Sequence, residues 1–382
     1  MKIILKIFGH GRESAHTLLL KRKIVFKEDL ITMTKFFAAA NTETGFQSLF
    51  SECFSPETHK RIYILKGGPG TGKSTIMKSI GFFAEASGCE VEYLYCSSDT
   101  SSLDGIRIPA LEIAVLDGTA PHITDPIYPG AVERIVNLGD AFDHEGLSGE
   151  RAEITSLCSA KGDAYRTAYR FLAAAGRVAH EKEDLLKNVF LLEKAEAAAD
   201  RLAFAIKDAE KGRETRRYLS AIGTHGYIKS DTLKQKAKRI LAVTERHGLE
   251  YLFMNALYAS LSRLGIKMTV CTTPLVSSHI EAIYVESERV LFAVMNETEV
   301  PEAVKIINCD RFVSREALSE RRARLRFAEK CERSLMEGAL SSLEEAGRIH
   351  ENLEKIYGRY VDFSAVDRIK SRMISEIFTN NM

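Results

Sequence analysis

Eight consecutive residues, Gly67-Gly68-Pro69-Gly70-Thr71-Gly72-Lys73-Ser74, have the spacing G-x-x-x-x-G-K-[ST], and each type at its place has a task in holding phosphate. Glycines let the backbone turn with its N–H groups pointing inward, toward anionic oxygens. The loop should open onto a helix N-terminus, whose dipole and unpaired N–H groups favour an anion. Lys73 then reaches the β- and γ-phosphates of a nucleoside triphosphate, the Ser74 hydroxyl ligates Mg²⁺, and Thr75 adds a hydroxyl near the α-phosphate. The expected ligand is ATP with Mg²⁺. No N-K-x-D guanine signature is present.

A phosphate loop of this kind requires a carboxylate beside it. Asp117 ends the apolar run Leu111–Leu116. At the carboxyl edge of a strand it would face the loop and hold Mg²⁺ through water. An Asp before Gly118 is also a common turn pairing. Gly118 follows Asp117 where many hydrolytic relatives of the motif place a water-orienting glutamate. Asp99 is therefore the first candidate for a base or water-positioning group, with Asp104 and His122 behind it. All three also suit loop-capping roles. An arginine that would meet developing phosphate charge is not specified; Arg134, Arg177 and Arg348 are the candidates. His180 and His350 read as packing or surface residues.

These residues need an α/β scaffold. From Lys35 the pattern is strand, turn and short helix, then the apolar strand Arg61–Lys66. The loop and a helix from about Ser74 to Ala86 follow, closed at Gly88. Strand Glu90–Cys96, a Ser/Asp/Gly-rich loop and strand Leu111–Leu116 complete the group. Alternating strands and helices predict a parallel sheet flanked by helices. Residues 149–212 lack proline and are rich in Ala, Glu, Lys, Arg and Leu, which predicts two long helices forming a hairpin. A strand-like pattern returns over 213–311, and 312–382 is again charged and helical.

That return is a repeat. Gly45-Phe46 corresponds to Gly226-Tyr227, Arg61–Leu65 to Arg239–Val243, Gly70 to Gly248, Cys96 to Cys271, Ala114–Asp117 to Ala293–Asn296, and Ala175-Gly176-Arg177 to Ala346-Gly347-Arg348. The spacing stays at roughly 170–180 residues and the order is kept, as expected of an internal duplication. The second loop reads Glu245-Arg246-His247-Gly248-Leu249-Glu250-Tyr251-Leu252. On this alignment Tyr251 stands for Lys73, Leu252 for Ser74 and Asn296 for Asp117, so the second half should lack phosphate chemistry. The expected organisation is an extension over 1–32, a P-loop domain over 33–148, a helical hairpin over 149–212, a degenerate P-loop-like domain over 213–311 and a second hairpin over 312–382.

Bulk properties narrow the partners. The 382 residues carry 53 basic and 52 acidic side chains, a balance that gives no global field for nucleic acid or an anionic membrane. No run of eighteen apolar residues exists, so a membrane span is not expected. Seven scattered cysteines form no C-x-x-C pair, which fits reduced thiols in a cytoplasmic protein. Residues 1–32 hold the basic cluster Lys21-Arg22-Lys23 and no amphipathic period, do not resemble a secretory signal, and precede a second methionine, Met33. They read as a dispensable extension or a consequence of start-site choice.

Several stretches recur together: Phe37–Thr42 with Gly45-Phe46; the GGPGTGKS loop; Cys96–Asp99 with Ser102–Gly105; Leu116–His122; and Asp125-Pro126 through Pro129–Glu133 to Asn137–Asp140. In these the chain resembles a family of bacterial ATP-binding proteins built from two tandem P-loop halves, over about residues 34–380. The resemblance implies a cytoplasmic ATPase with Asp99, Asp104, Thr119 and His122 around the γ-phosphate. The family's second P-loop is missing here. Three activities are compatible with the motifs: an ATPase with one working site, a small-molecule or nucleotide kinase, and a non-catalytic ATP-gated binding protein. A protein partner, a small-molecule acceptor or a second copy of the chain could meet the helical seams.

Overall fold

The computed structural model describes residues 34–379 apart from Glu245 and Ala303; the expected extension over 1–32 lies outside the described residues. Two runs of similar elements follow one another. The first comprises β1 (Thr34–Phe37), the hairpin β2 (Ala39–Thr42) and β3 (Gly45–Ser48), α1 (Phe50–Cys53), β4 (Arg61–Lys66), α2 (Lys73–Ala86), β5 (Glu92–Tyr95), β6 (Leu103–Ile108), β7 (Ile113–Asp117) and β8 (Glu133–Asn137). Helices α3 (His144–Gly149), α4 (Arg151–Leu186) and α5 (Leu192–Phe204) complete it. The second run comprises β9 (Thr215–Arg217), the hairpin β10 (Ser220–Gly223) and β11 (Gly226–Lys229), α6 (Thr232–Lys236), β12 (Arg239–Thr244), α7 (Glu250–Arg263), β13 (Thr269–Thr272), β14 (Ile280–Val285), β15 (Val290–Val294) and β16 (Lys305–Asn308). Its helices are α8 (Arg315–Ser319), α9 (Arg322–Gly358) and α10 (Phe363–Thr379).

Each run forms a six-stranded sheet, in the orders β1-β5-β6-β7-β4-β8 and β9-β13-β14-β15-β12-β16. The two orders match strand for strand. Neither sheet is all-parallel as the sequence pattern predicts. Strand β6 runs antiparallel to both β5 and β7, and β14 to both β13 and β15. The stretch read as a loop after β5 contains this extra strand. Its Asp104-Gly105 pair looks like a turn, but Gly105 is small because the Phe54 ring packs directly over it.

Both faces of each sheet are covered. In β4, Ile62 and Ile64 point into a core shared by the two sheets, with Leu116, Ala242, Leu291 and Ala293. Tyr63 and Leu65 point the other way, onto Ile76, Met77 and Ile80 of α2. Burial on both faces explains why these strands read as continuous apolar runs. Helix α2 stops where Gly88 adopts φ +84, with Gly88 N bonded to Glu85 O and Cys89 N to Ala84 O at 2.9 Å each. That is the two-bond glycine C-cap a left-handed residue permits. Gly265 and Ile266 repeat it after α7.

The expected helical hairpins do not form. Helix α4 packs antiparallel along α9, one long helix from each run. Phe171 lies on Gly338, and Lys182 pairs with Glu332 at 2.6 Å. The helices after them cross over. Helix α5 places Ala195, Ala198, Ala199 and Ala203 against the second sheet's layer with Phe253 and Leu257. Helix α10 places Val366, Met373 and Ile377 against the first sheet's layer with Ile76 and Ile80. An amphipathic period fixes a helix and its buried stripe but not which surface that stripe covers.

Candidate functional site

Strand β4 ends at Lys66, and α2 begins at Lys73 behind Gly72 in the left-handed region, φ +83. The glycine-rich segment between them turns at the carboxyl end of a strand flanked on both sides by parallel neighbours, β7 and β8. Crevices at such strand ends are where open α/β sheets bind ligands. Thr71 is buried and donates to the Gly68 carbonyl at 2.9 Å. Lys73 Nζ donates to the Gly67 and Gly68 carbonyls, each at 2.9 Å. It also lies 3.5 Å from Asp117 Oδ2. Asp117 ends β7 and is held by Thr119, whose backbone N–H and hydroxyl donate to Oδ1 at 2.9 and 2.5 Å. Ser74 Oγ accepts from Leu103 N at 3.1 Å, joining the loop to β6. Lys73, Ser74 and Asp117 thus converge on one side of the loop. Thr75 is exposed on the first turn of α2.

Asp99 follows β5 and is committed to local bonds. Its Oδ1 accepts from the Ser101 backbone and hydroxyl at 3.0 and 2.8 Å, and Oδ2 from the Ser102 hydroxyl at 2.7 Å. Burial would raise its pKa, but the Ser102 and Ser101 bonds, together with His225, outweigh it and hold the carboxyl below the usual range. It is an anion at neutral pH, better suited to organising its loop than to taking a proton. Asp104 and His122 are brought together, with Oδ2 3.2 Å from Nε2, in a buried pocket where His122 stacks on Phe50 at 4.3 Å. Asp104 Oδ2 and, on the other side of the ring, His122 Nδ1 are each buried without a hydrogen-bond partner among the described residues. Of the candidate arginines, Arg134 is tied to Glu376 on α10 at 2.5 Å. Arg177 and Arg348 are exposed.

The long helices supply what the sequence pattern did not announce. Gly70, at φ +68, meets α9: a Cβ there would lie 2.9 Å from the Glu354 carbonyl oxygen. One at Gly68 would lie 2.8 Å from the Tyr357 ring. Burial raises the Glu354 carboxyl above its usual range and the Asp99 charge adds to this, while a hydrogen bond from the Gly70 backbone opposes them. One turn earlier, His350 Nδ1 lies 3.5 Å from Lys161 Nζ on α4. The tip of the β10–β11 hairpin reaches the segment that carries Asp99. Thr224 N and Oγ1 donate to the Ser98 carbonyl at 2.9 Å each, and His225 Nε2 lies 3.7 Å from Asp99. Residues of the second run therefore contact both the Gly67–Ser74 loop and the Ser98-Asp99 segment. Helical spacing of His350 and Glu354 on one face was the available sequence signal.

The equivalent place in the second run carries different side chains. Helices α2 and α7 bury Ile76, Met77, Ile80 and Ala84, and Phe253, Met254, Leu257 and Leu261, respectively. Matching these faces places Glu250 at the position of Lys73 and Tyr251 at that of Ser74, because the second loop is one residue shorter. The sheet corrects the third assignment too. Gly118 N bonds Leu65 O, and Met295 N bonds Val243 O, so Val294 rather than Asn296 stands where Asp117 does. Tyr251 stacks on His279 with centroids 3.8 Å apart, and His279 Nε2 lies 2.7 Å from Glu183 on α4. The second run thus has neither a lysine at the position of Lys73 nor a carboxylate at that of Asp117.

Ser74 and Asp117 offer one hydroxyl and one carboxylate oxygen. That set suits Mg²⁺, which keeps most of its shell as water and phosphate oxygens. Among the described residues, no group of three or more His, Cys, Asp or Glu side chains could hold a metal by itself. None of the seven cysteines is in a disulfide. Among the described residues no helix is long and apolar enough to cross a membrane. Comparison with known protein families, with curated proteins and with solved structures finds no match.

Proposed function

We propose that this chain binds one ATP with Mg²⁺ at the Gly67–Ser74 loop and hydrolyses it slowly, in the cytoplasm. The observation that carries the reading is the placement of Lys73. It sits at the first position of α2, its ammonium bonded to two loop carbonyls and 3.5 Å from Asp117. An anion entering the loop would meet that ammonium, the helix N-terminus and the loop amides together. Ser74 and Asp117 would hold Mg²⁺, which supplies charge neutralisation across the β- and γ-phosphates. The resemblance to tandem P-loop ATP-binding proteins supports the same assignment. Calorimetric titration of Mg·ATP, with phosphate release followed in parallel, tests it. Binding near one ATP per chain is expected, abolished by Lys73→Ala; unchanged binding by that variant would refute it.

One observation favours an ATP-gated binding protein as a second reading. Asp99 has both oxygens engaged by Ser101 and Ser102, and Gly118 follows Asp117, leaving no assigned base for water. Tight binding with turnover indistinguishable from buffer would select this reading. Turnover that appears only with an added acceptor would select a kinase.

A further inference from the structure

Helix α4 carries two lysines that turn in toward α9, and they are treated differently. Lys182 is paired with Glu332 at 2.6 Å. Lys161 is half-buried, its nearest polar partner is the His350 ring nitrogen at 3.5 Å, and among the described residues no carboxylate lies within ion-pair distance of it. A desolvated ammonium without an anion is costly, and fixed structural lysines are normally answered as Lys182 is.

A continuous line connects Lys161 to the loop. His350 is its contact on α9, and Glu354 lies one turn further along the same face, 3.7 Å from His350. The Glu354 main chain covers Gly70. Burial lowers the pKa of Lys161, Cys158 and Glu354 oppose this, and the Lys73 ammonium adds to the lowering. Burial likewise lowers His350, together with the charges of Lys161 and Lys73 and against that of Asp99. Contacts from Lys161 to His350, from His350 to Glu354 and from the Glu354 main chain to Gly70 thus link the Lys161 ammonium to the loop. Asp99 marks the end of the loop where a terminal phosphate would lie, since its own segment bonds Ser74 through Leu103.

We infer that Lys161 is a specificity-determining contact for the γ-phosphate, which makes the site prefer a nucleoside triphosphate to a diphosphate. The inference rests on the proposed ATP binding. A second cation converging on the terminal phosphate stabilises charge that a diphosphate does not carry there. Because Lys161 comes from the α4–α9 pair, the γ-phosphate would also tie that pair to the loop.

Calorimetric titration of the full chain with Mg·ATP and with Mg·ADP separates the possibilities. Wild type should favour ATP. Lys161→Met should weaken ATP by about tenfold or more, the size of one lost charge-assisted bond, and leave ADP within about twofold. Lys161→Arg should restore most of the difference. Lys182→Met, which cuts the other lysine contact of the same helix pair, should leave the ATP-to-ADP ratio unchanged. A ratio that survives Lys161→Met, or equal weakening of both nucleotides, would overturn the inference while leaving ATP binding intact. Wild type that binds neither nucleotide would overturn the ATP reading itself, and this inference with it.

Discussion

The main chain of Glu354 covers Gly70 so closely that a Cβ at residue 70 would come within 2.9 Å of the Glu354 carbonyl oxygen. The loop glycine thus answers two demands, a φ of +68 and the approach of a helix from the other end of the chain. Gly70→Ala should be tolerated by neither. A side chain in the left-handed region costs about 1–2 kcal/mol, and a backbone oxygen at that distance cannot rotate away as a side chain would. The variant should melt lower than wild type and lose Mg·ATP binding. An unchanged melting temperature with unchanged affinity would mean that α9 does not rest on the loop.

Glu354 also places a carboxylate beside an amide that should bind phosphate. Glu354→Gln removes that negative charge and keeps the shape, so ATP affinity should rise, by about threefold to tenfold for one partly screened charge. The pH dependence has a definite sign. The raised carboxyl takes up its proton earlier than an ordinary glutamate on acidification, so wild type should approach the variant as pH falls below neutrality. Titrations at two pH values that show a constant gap would count against this role.

The second loop should stay silent even when its lysine is returned. Glu250, at the position of Lys73, can be replaced by Lys, but Tyr251 remains stacked on His279, and His279 remains paired with Glu183. Val294 supplies no carboxylate. Glu250→Lys should therefore bind one ATP per chain, as expected of wild type. A stoichiometry of two, measured by equilibrium dialysis, would show that the Tyr251–His279 stack does not bar a nucleotide.

What could be read from the sequence divides along the range of the interactions. The loop, the strand before it, the helix after it and the glycine that ends that helix are local, and Arg61–Gly88 carries their full signature. The repeat was visible too, but its register was not. A second loop shorter by one residue put Tyr251 one place from its true counterpart, and the likeness of Ala114-Val115 to Ala293-Val294 put Asn296 two places from its own; only the helix faces and strand pairing reveal this. The hairpins failed for a different reason. Residues 151–186 and 322–358 declare buried stripes, and nothing local says that each stripe is covered by the other. Lys161, His350 and Glu354 share that difficulty, since they reach the loop only through long-range packing.

The join between the runs contains a buried charge cluster whose behaviour can be predicted with sign. Glu92 on β5 is bonded by Arg107 on β6 and by Arg217 on β9, which is almost fully buried. Desolvation would raise the Glu92 carboxyl, but Arg217 and Arg107 hold it down to about 2. A carboxyl depressed in the folded state stabilises fully above its unfolded pKa, near 4.5. That contribution is lost as pH falls from there through about 2, and it amounts to roughly 3 kcal/mol. Glu92→Ala should cost about 3–5 kcal/mol at neutral pH, because it leaves Arg217 buried without its anion. Pairing it with Arg217→Met should recover much of the loss, since an uncharged partner no longer needs one. Urea denaturation of wild type, the two single variants and the double variant at pH 7 and at about pH 3 measures both effects. Additive losses with parallel acid profiles would mean that Glu92 and Arg217 stabilise the join independently.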